Sequence, residues 1–312
     1  MFAVSGKDRD FTNAACIAKR GVLFNCDCEK LFSVIKDSSI DMIFCDPPFN
    51  LDKNYGTEKF NDSIKDEEYL KWSFSWMDEC VRVLKPGGSL FIYNIPKWCI
   101  YLGAYLNQRL EFRHWVAICM KNTFPRGRKL YPAHYGLLYY TKGKPTTFHT
   151  LRTPIPVCRH CGGEIKDYGG HRNKLNPKGL TLTDFWDDTS PVRHKKFKKR
   201  SANELKPIIP RRAILMSTNP GDIILDPFGG GGSTYIQAEL NKRFWIGSEI
   251  GDCAPIIENL SEHGKLVSGE IDKVILDIFE HYTYEPSPEI VSKRYAALPI
   301  QKSLDAVIEA DS

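Results

Sequence analysis

The stretch that decides the fold runs Ile223-Ile224-Leu225-Asp226-Pro227-Phe228-Gly229-Gly230-Gly231-Gly232-Ser233-Thr234. It predicts a short buried strand, a tight glycine turn and the start of a helix, because glycine lets the backbone turn sharply and approach a ligand closely. The strand predicted over residues 244–247 leads into Glu249, which follows Asp226 by 23 residues. At about this spacing in a doubly wound βαβ unit, an acidic side chain accepts hydrogen bonds from a ribose. A glycine run alone also serves structural turns, but with the strand, helix and acid it predicts a nucleoside-containing cofactor.

The rest of the chain alternates between apolar runs and segments of helical periodicity. The runs predict strands at residues 21–26, 40–45, 89–93, 115–120, 136–141 and 223–225, and the periodicity predicts helices near residues 28–36, 66–84, 97–110, 203–217 and 233–241. Strands that alternate with helices imply an α/β fold with a mostly parallel, doubly wound sheet covered on both faces. From residue 142 to 191 the periodicity fades and Gly, Pro, His and Thr become frequent. This stretch is predicted to be an inserted, irregular lobe outside the sheet.

A second motif, Asp46-Pro47-Pro48-Phe49, ends the strand predicted over residues 40–45. Proline has no N–H and cannot continue a ladder, so the strand must stop there and present rigid acceptors, the Asp46 carboxylate and the Pro47 carbonyl. The exocyclic amine of a nucleobase is a poor nucleophile because its lone pair is delocalised into the ring. Two acceptors on its two N–H groups would draw the nitrogen towards a tetrahedral geometry and aim the lone pair at an electrophile. Phe49 would give a flipped-out base a flat face to stack on, although an Asp-Pro turn with a core Phe is the structural alternative.

Charge is segregated along the chain. The whole sequence carries 43 Lys plus Arg against 38 Asp plus Glu, but residues 112–212 carry 22 against 6. The densest run is Arg193-His194-Lys195-Lys196-Phe197-Lys198-Lys199-Arg200. A single basic run is often only a solvated face. A basic excess that extends over about a hundred residues indicates instead a surface for a polyanion, most often nucleic acid.

Composition sets broad limits on the kind of protein. With 312 residues and 42% hydrophobic residues, the chain is long and apolar enough to bury a core and is not mainly disordered. No apolar run reaches the roughly 18 residues of a membrane span, and residues 1–8 lack the apolar core of a signal peptide. We therefore expect a cytoplasmic protein without a membrane partner, whose ten cysteines are reduced.

Together, the motifs at residues 46–49 and 226–234 resemble those of the S-adenosylmethionine-dependent amino-methyltransferases of bacterial DNA. In that family the catalytic motif is Asp-Pro-Pro followed by an aromatic residue, and the cofactor loop follows an Asp-Pro-Phe strand end. A catalytic motif upstream of the cofactor loop, with a basic stretch between them, is the order of the beta group. The resemblance implies a Rossmann-like methyltransferase fold and a site-specific DNA adenine-N6 methyltransferase of the restriction-modification type. Such an enzyme acts on a short duplex sequence by base flipping.

The resemblance also implies roles for individual residues. In the catalytic motif, Asp46 and the Pro47 carbonyl would orient the adenine amine, Pro48 would complete the rigid strand end, and Phe49 would stack on the base. The residues implied to bind S-adenosylmethionine are Asp46, Asn203, Asp226, Phe228, Gly229, Gly231, Ser233, Thr234 and Glu249. The residues implied to contact DNA are Arg193, Lys195, Lys196, Lys198 and Lys199. Cytosine-N4 relatives usually carry Ser in place of the motif's Asp, so Asp46 favours adenine, with cytosine N4 or an RNA base as alternatives.

The same resemblance divides the chain into four parts. Residues 20–142 would form the catalytic half, residues 143–192 the target-recognition lobe, residues 193–263 the cofactor-binding half and residues 264–312 a C-terminal extension. The expected partner is double-stranded DNA. A cognate restriction endonuclease and a homodimer are both compatible with the family.

Cys158-Arg159-His160-Cys161-Gly162-Gly163 resembles one half of a zinc knuckle. Two thiolates two residues apart can share one ion, but a tetrahedral site needs four ligands and no second Cys-x-x-Cys follows. His149, His160 and His171 are candidates to complete the site. A reduced pair in a tight turn is the alternative for Cys158 and Cys161.

Two other classes of protein share part of the pattern. A nicotinamide-dependent dehydrogenase would use the glycine turn and Glu249 but has no use for Asp-Pro-Pro-Phe. A catalytically silent DNA-binding protein would explain the basic block but neither motif. Binding of S-adenosylmethionine, of NAD or of neither separates the three classes.

Overall fold

The computed structural model describes residues 14–51, 64–120, 130, 132–155, 157–158, 161–164, 169–170, 174–189, 204–267 and 271–279. The strands are β1 (Ala14–Ala18), β2 (Gly21–Phe24), β3 (Ile40–Cys45), β4 (Leu84–Asn94), β5 (Glu111–Cys119), β6 (His134–Thr141), β7 (Arg152–Thr153), β8 (Leu180–Thr181), β9 (Phe185–Trp186), β10 (Ile223–Asp226) and β11 (Phe244–Ser248). The helices are α1 (Cys28–Phe32), α2 (Asp66–Val83), α3 (Pro96–Leu106), α4 (Ile208–Ser217), α5 (Ser233–Leu240), α6 (Ala254–Glu262) and α7 (Lys273–Leu276).

Nine of these strands form one sheet in the order β1-β2-β11-β10-β3-β4-β6-β5-β9. The five strands from β2 to β4 in that order run parallel to one another, whereas β1 pairs antiparallel with β2, and β6 pairs antiparallel with both β4 and β5. The mostly parallel α/β sheet predicted from the sequence is confirmed. The strand order reverses between β3 and β10, and crevices at such a reversal are where open α/β sheets bind ligands.

Helices cover both faces of the sheet, as the sequence predicts. Helices α1, α2, α3 and α7 pack on one face, where the fully buried Trp76, Leu102 and Ile275 contribute to one apolar cluster. Helices α4, α5 and α6 pack on the other face through a second cluster that includes Tyr235 and Ile256. Because both faces of the sheet are buried, its strands are apolar throughout rather than alternating.

Two details of the predicted fold are wrong. Residues 85–88, left between the helix predicted over residues 66–84 and the strand predicted over residues 89–93, lie within β4, because Leu84 already pairs with Ile40 directly after α2. The register of β4 against β3 shifts between Leu84 and Ser89, where Gly87 has φ +78°. The predicted lobe outside the sheet contributes β9, which pairs parallel with β5. The physical reason is Trp186, whose ring is 1% exposed and whose Nε1 donates to the Thr183 carbonyl at 2.8 Å, so that burial draws this short segment onto the sheet edge.

The last described segment returns to the N-terminal part of the chain. Lys36 N donates to the Ile278 carbonyl at 2.9 Å, and the Phe279 ring meets Phe24 edge-on at 5.7 Å between centroids. Residues 271–279 thus pack beside the end of β2, and the division of the chain into four parts stays a prediction. None of the helices in the described ranges is long and apolar enough to cross a membrane.

Candidate active site

The sheet brings the two sequence motifs together although about 180 residues separate them. Strands β3 and β10 are parallel neighbours, with Met42 opposite Ile224 and Ile43 opposite Leu225. The carboxyl ends of neighbouring parallel strands meet at the same edge of a sheet. Asp46 and Asp226 therefore leave the sheet side by side, at the point where the strand order reverses.

Hydrogen bonds fix the backbone of the Asp-Pro-Pro-Phe motif. Tyr69 Oη donates to the Pro48 carbonyl at 2.7 Å, and Trp98 Nε1 donates to the Phe49 carbonyl at 2.7 Å. No donor from the described residues reaches the preceding carbonyl, that of Pro47. Within the described ranges the motif's later carbonyls thus carry a donor and the Pro47 carbonyl does not, and the predicted contact of Pro47 with the target amine stays a prediction.

The two bracing side chains were missed by the sequence reasoning. Tyr69 lies on α2 and Trp98 on α3, and Asn94 supports Tyr69 through an Nδ2–Oη hydrogen bond of 3.1 Å. One signal in the sequence could have indicated them. Asn94 is a polar residue at the carboxyl end of β4, next to β3, and such strand ends line ligand sites in α/β sheets.

Aromatic rings surround Phe49. Its ring centroid lies 5.8 Å from that of Tyr93 and 5.8 Å from that of Tyr135, and Tyr93 and Tyr135 stack on each other at 5.1 Å. Phe49 itself is 8% exposed. The edge of the site is thus a wall of three aromatic side chains, and stacking of a base on Phe49 stays a prediction.

The glycine turn between β10 and α5 is held by Glu249. One carboxylate oxygen of Glu249 accepts from Gly230 N at 2.7 Å and the other accepts from Gly251 N at 2.8 Å. Gly232 has φ +77° and sits directly before the first residue of α5, a backbone region that suits glycine. The predicted strand, turn, helix and acid are all present, and Glu249 is 9% exposed beside the turn.

Three carboxylates share this edge of the sheet. Burial raises the pKa of the Asp226 carboxyl to about 8, and the charges of Asp46 and Glu249 add to the rise, against hydrogen bonds from Thr234 and from the Phe228 N–H that lower it. The site therefore concentrates negative potential at the end of β10. A bound cation would relieve this repulsion and favour the ionised form of Asp226.

The other residues predicted to bind a cofactor take several positions. Phe228 packs edge-on against Trp76 at 5.2 Å, and Ser233 Oγ donates to the Leu205 carbonyl at 2.9 Å. Gly231 faces Glu204, which is 3% exposed and which the sequence reasoning missed. Asn203 lies outside the described residues.

The predicted DNA and zinc ligands are only partly described. All five basic residues proposed to contact DNA, from Arg193 to Lys199, lie outside the described residues. Cys158 N donates to the Gly163 carbonyl at 2.7 Å, and Gly162 N donates to the Cys158 carbonyl at 2.9 Å. Within the described ranges no three His, Cys, Asp or Glu side chains come together as metal ligands, and His149 instead bonds Asn219 at 2.9 Å. Zinc at the cysteine pair stays a prediction that needs ligands from elsewhere.

A doubly wound sheet with a glycine turn and an Asp-Pro-Pro-Phe strand end at its reversal point defines a Rossmann-like methyltransferase fold. The chain belongs to the DNA methylase family, which matches residues 40–257. The match includes both motifs.

Individual relatives agree with this membership. The chain is 54% identical over 246 residues to the Type II methyltransferase M.BamHI of Bacillus amyloliquefaciens, covering 78% of this chain and 58% of the relative. It is 26% identical over 278 residues to the DNA adenine methyltransferase YhdJ of Escherichia coli strain K12, covering 88% of each chain. Among solved structures, the PvuII DNA methyltransferase (cytosine-N4-specific) has the same fold, with a TM-score of 0.53, 17% identity and coverage of 77% of this chain and 86% of that one.

Proposed function

We propose that this protein transfers a methyl group from S-adenosylmethionine to the exocyclic amine of a base in a short duplex DNA sequence. The observation that carries the proposal is the juxtaposition of the Asp46 strand end, with its open Pro47 carbonyl, and the glycine turn at one edge of the sheet. The relatives support it through their printed names, which are those of Type II and adenine DNA methyltransferases. The chain spans 58% of the length of M.BamHI, so the activity is inferred from the shared region.

The residues at the end of β10 fit S-adenosylmethionine by charge. This cofactor carries a sulfonium and an ammonium group, and the carboxylates of Asp46, Asp226 and Glu249 lie close enough to one another to raise the pKa of Asp226. The glycine turn from Gly229 to Gly232 allows close approach of a ligand to the backbone. When bound, the cofactor supplies an electrophilic methyl group.

Glu249 would hold the ribose of that cofactor. Its two carboxylate oxygens already accept one backbone N–H each, from Gly230 and Gly251, and each oxygen retains a further lone pair for a hydroxyl. We propose that the same side chain both fixes the turn and accepts the ribose hydroxyls. Phe228, Ser233 and Thr234 would line the rest of the turn.

Asp46 and the Pro47 carbonyl would prepare the amine. Each accepts one N–H of the target amino group, which pulls the nitrogen out of conjugation and directs its lone pair at the methyl group. The Tyr69 and Trp98 hydrogen bonds keep these acceptors in place, because they hold the backbone on the far side of the motif. The protein thus pays no reorganisation cost when the transition state forms.

We propose adenine N6 as the acceptor. The carboxylate of Asp46 favours it by resemblance, and YhdJ, similar over 88% of both chains, is named an adenine methyltransferase. Cytosine N4 is the second candidate, because two acceptors suit either amine and the PvuII enzyme, named as cytosine-N4-specific, shares the fold.

The DNA would lie along the basic block of residues 112–212. We propose that residues 143–192 recognise the target sequence and that Arg193, Lys195, Lys196, Lys198 and Lys199 contact phosphates, which would make binding weaken steeply with salt. A restriction endonuclease of the same specificity is proposed as a functional partner, since the relatives include Type II methyltransferases.

The test is expression in a bacterial host that lacks its own DNA methylases, followed by mass spectrometry of the nucleosides and single-molecule sequencing of the genome. The proposal expects N6-methyladenine in one short sequence context, and none in cells that express Asp46→Ala. N4-methylcytosine in one context would keep the mechanism and replace the base. Unmodified DNA from a folded, expressed protein would refute DNA methylation.

A further inference from the structure

A buried hydroxyl without a protein partner stands at the edge of the proposed base site. Tyr93 is 3% exposed, and among the described residues its Oη has no hydrogen-bond partner. It is the penultimate residue of β4, the strand beside β3. Because Cys45 pairs with Ile92, the next residues on the two strands, Asp46 and Tyr93, reach the edge at the same level.

The Tyr93 side chain lies beside the Asp-Pro-Pro-Phe motif. The Tyr93 ring contacts Phe49 at 5.8 Å and stacks on Tyr135 at 5.1 Å. Burial raises the pKa of Tyr93 well above its usual value, and the charge of Asp46 raises it further. The phenol therefore stays protonated at neutral pH and is available as a hydrogen-bond donor.

Folded proteins satisfy nearly all of their buried polar groups, so an unsatisfied hydroxyl at a ligand site calls for a partner that arrives with the ligand. An aromatic wall next to two amine acceptors is a place for the ring of a base. A donor in that wall needs an acceptor on the ring itself.

We propose that the Tyr93 hydroxyl donates a hydrogen bond to the ring of the target base, at the acceptor nitrogen next to the exocyclic amine. This inference rests on the proposed function and deepens it by assigning a residue that selects the base. Adenine N1 and cytosine N3 are both acceptors beside an amine. Guanine and thymine carry an N–H donor beside a carbonyl at the corresponding position, so they would face the hydroxyl with the wrong group.

Tyr139 on β6 provides a matched control. It is 1% exposed, and its ring stacks on Phe91 at 4.5 Å. Phe91 lies two residues before Tyr93 on β4 and is paired directly with Tyr139, so this phenol lies on the same sheet but further from the edge. Removal of its hydroxyl tests the loss of a buried phenol oxygen without the proposed base contact.

The experiment compares Tyr93→Phe and Tyr139→Phe with the wild type in the full-length protein. Methyl transfer from labelled S-adenosylmethionine to unmodified bacterial genomic DNA gives kcat and KM for DNA. Calorimetric titration gives the Kd of S-adenosylmethionine, and thermal unfolding gives Tm. We expect Tyr93→Phe to lower kcat/KM for DNA about 10- to 100-fold, with an unchanged cofactor Kd and an equal or higher Tm, because the change removes an unsatisfied group. Tyr139→Phe should keep kcat/KM within about twofold.

Each other outcome counts against the inference. A wild type that methylates no DNA would refute the proposed function, and the inference with it. An active wild type with a Tyr93→Phe variant within about twofold of it would refute the inference alone. A parallel loss of cofactor affinity would assign the hydroxyl to the cofactor, and a lowered Tm would show that the hydroxyl stabilises the free protein.

Discussion

Two strand ends that both begin Asp-Pro lie side by side in this protein and differ in almost everything else. The end of β3 continues with proline and phenylalanine and offers acceptors, with Tyr69 and Trp98 holding its later carbonyls. The end of β10 continues with phenylalanine and four glycines and offers backbone N–H groups, one of which Glu249 accepts. Asp46 is half-buried, whereas Asp226 is 3% exposed and surrounded by protein.

The comparison explains how one edge of the sheet could bind two ligands, as proposed, when one ligand needs hydrogen-bond acceptors and the other needs close access to the backbone. A target amine needs rigid acceptors, which proline supplies because it has no N–H and a fixed φ. A nucleoside cofactor needs close approach to the backbone, which glycine supplies because it has no Cβ. In the proposed function the aspartate at the end of β3 contacts the target amine, whereas the aspartate at the end of β10 accepts from Phe228 N within the turn and adds its charge beside the cofactor.

Loss of the Asp46 carboxylate should have the largest effect, because it removes the acceptor proposed to activate the amine. We expect Asp46→Ala to lower kcat by about 10³-fold or more, a size typical of lost transition-state hydrogen bonding, with Tm unchanged within about 2 °C. Radiometric methyl transfer and thermal unfolding measure the two quantities. Near-normal turnover would show that the β3 end is only a structural turn.

Asp226 should make stability depend on pH in the opposite sense to an ordinary carboxylate. Its pKa of about 8 in the folded state lies above the ordinary aspartate value of 3.8, so between these pH values the folded state holds a proton that the unfolded state has lost. This stabilisation is complete below about pH 4 and is lost as the pH rises towards 8. We compare the unfolding free energy of Asp226→Asn with that of the wild type at each pH. Between pH 5 and pH 8 this difference should shift in favour of the variant by on the order of 2–4 kcal/mol.

Denaturant unfolding of the cofactor-free protein at pH 5, 6, 7 and 8 measures this slope. Asp37→Asn is a control, because it makes the same chemical change in an exposed side chain that pairs with Arg82. Equal slopes for the wild type and Asp226→Asn would show that Asp226 stays ionised.

Adjacent glycines should respond differently to alanine. Gly232 has φ +77°, and a Cβ there would lie 2.9 Å from the Ile256 side chain, whereas a Cβ on Gly231 would meet only Glu204 at 3.4 Å. We expect Gly232→Ala to cost about 1–3 kcal/mol of unfolding free energy and Gly231→Ala less than about 1 kcal/mol. Urea unfolding checks both, and equal costs would contradict this account of the turn.

Glu249→Gln should have the smallest effect of the four. The amide of Gln keeps one acceptor oxygen but has no charge. Its NH₂ group would face one of the two backbone N–H groups, of Gly230 or Gly251, that a carboxylate oxygen now accepts. We expect the Kd of S-adenosylmethionine to rise about 10-fold, or about 1.4 kcal/mol, as measured by calorimetry. An unchanged Kd would confine Glu249 to fixing the turn.

The sequence predicts the parallel core and both strand ends, because long apolar runs and proline or glycine punctuation are local signals. It predicts neither the Tyr69 and Trp98 braces nor the unpaired Tyr93 hydroxyl, since those depend on which helices and strands become neighbours. The sequence also does not predict that β9 belongs to the sheet. This two-residue strand forms where the Trp186 side chain is buried, which depends on tertiary contacts. The DNA ligands fall in residues that the structure does not describe, so their roles stay predictions.

The strand order has a consequence for how the chain folds during synthesis. β2 pairs with β11, whose first residue follows the end of β2 by 220 residues, and β10 enters between β11 and β3. At roughly 5–20 residues per second, a ribosome needs about 10–45 s to supply the missing centre of the sheet. Until then the N-terminal strands have unpaired edges. The nascent N-terminal half is therefore expected to depend on chaperones, and a chain that ends before β10 to aggregate rather than fold.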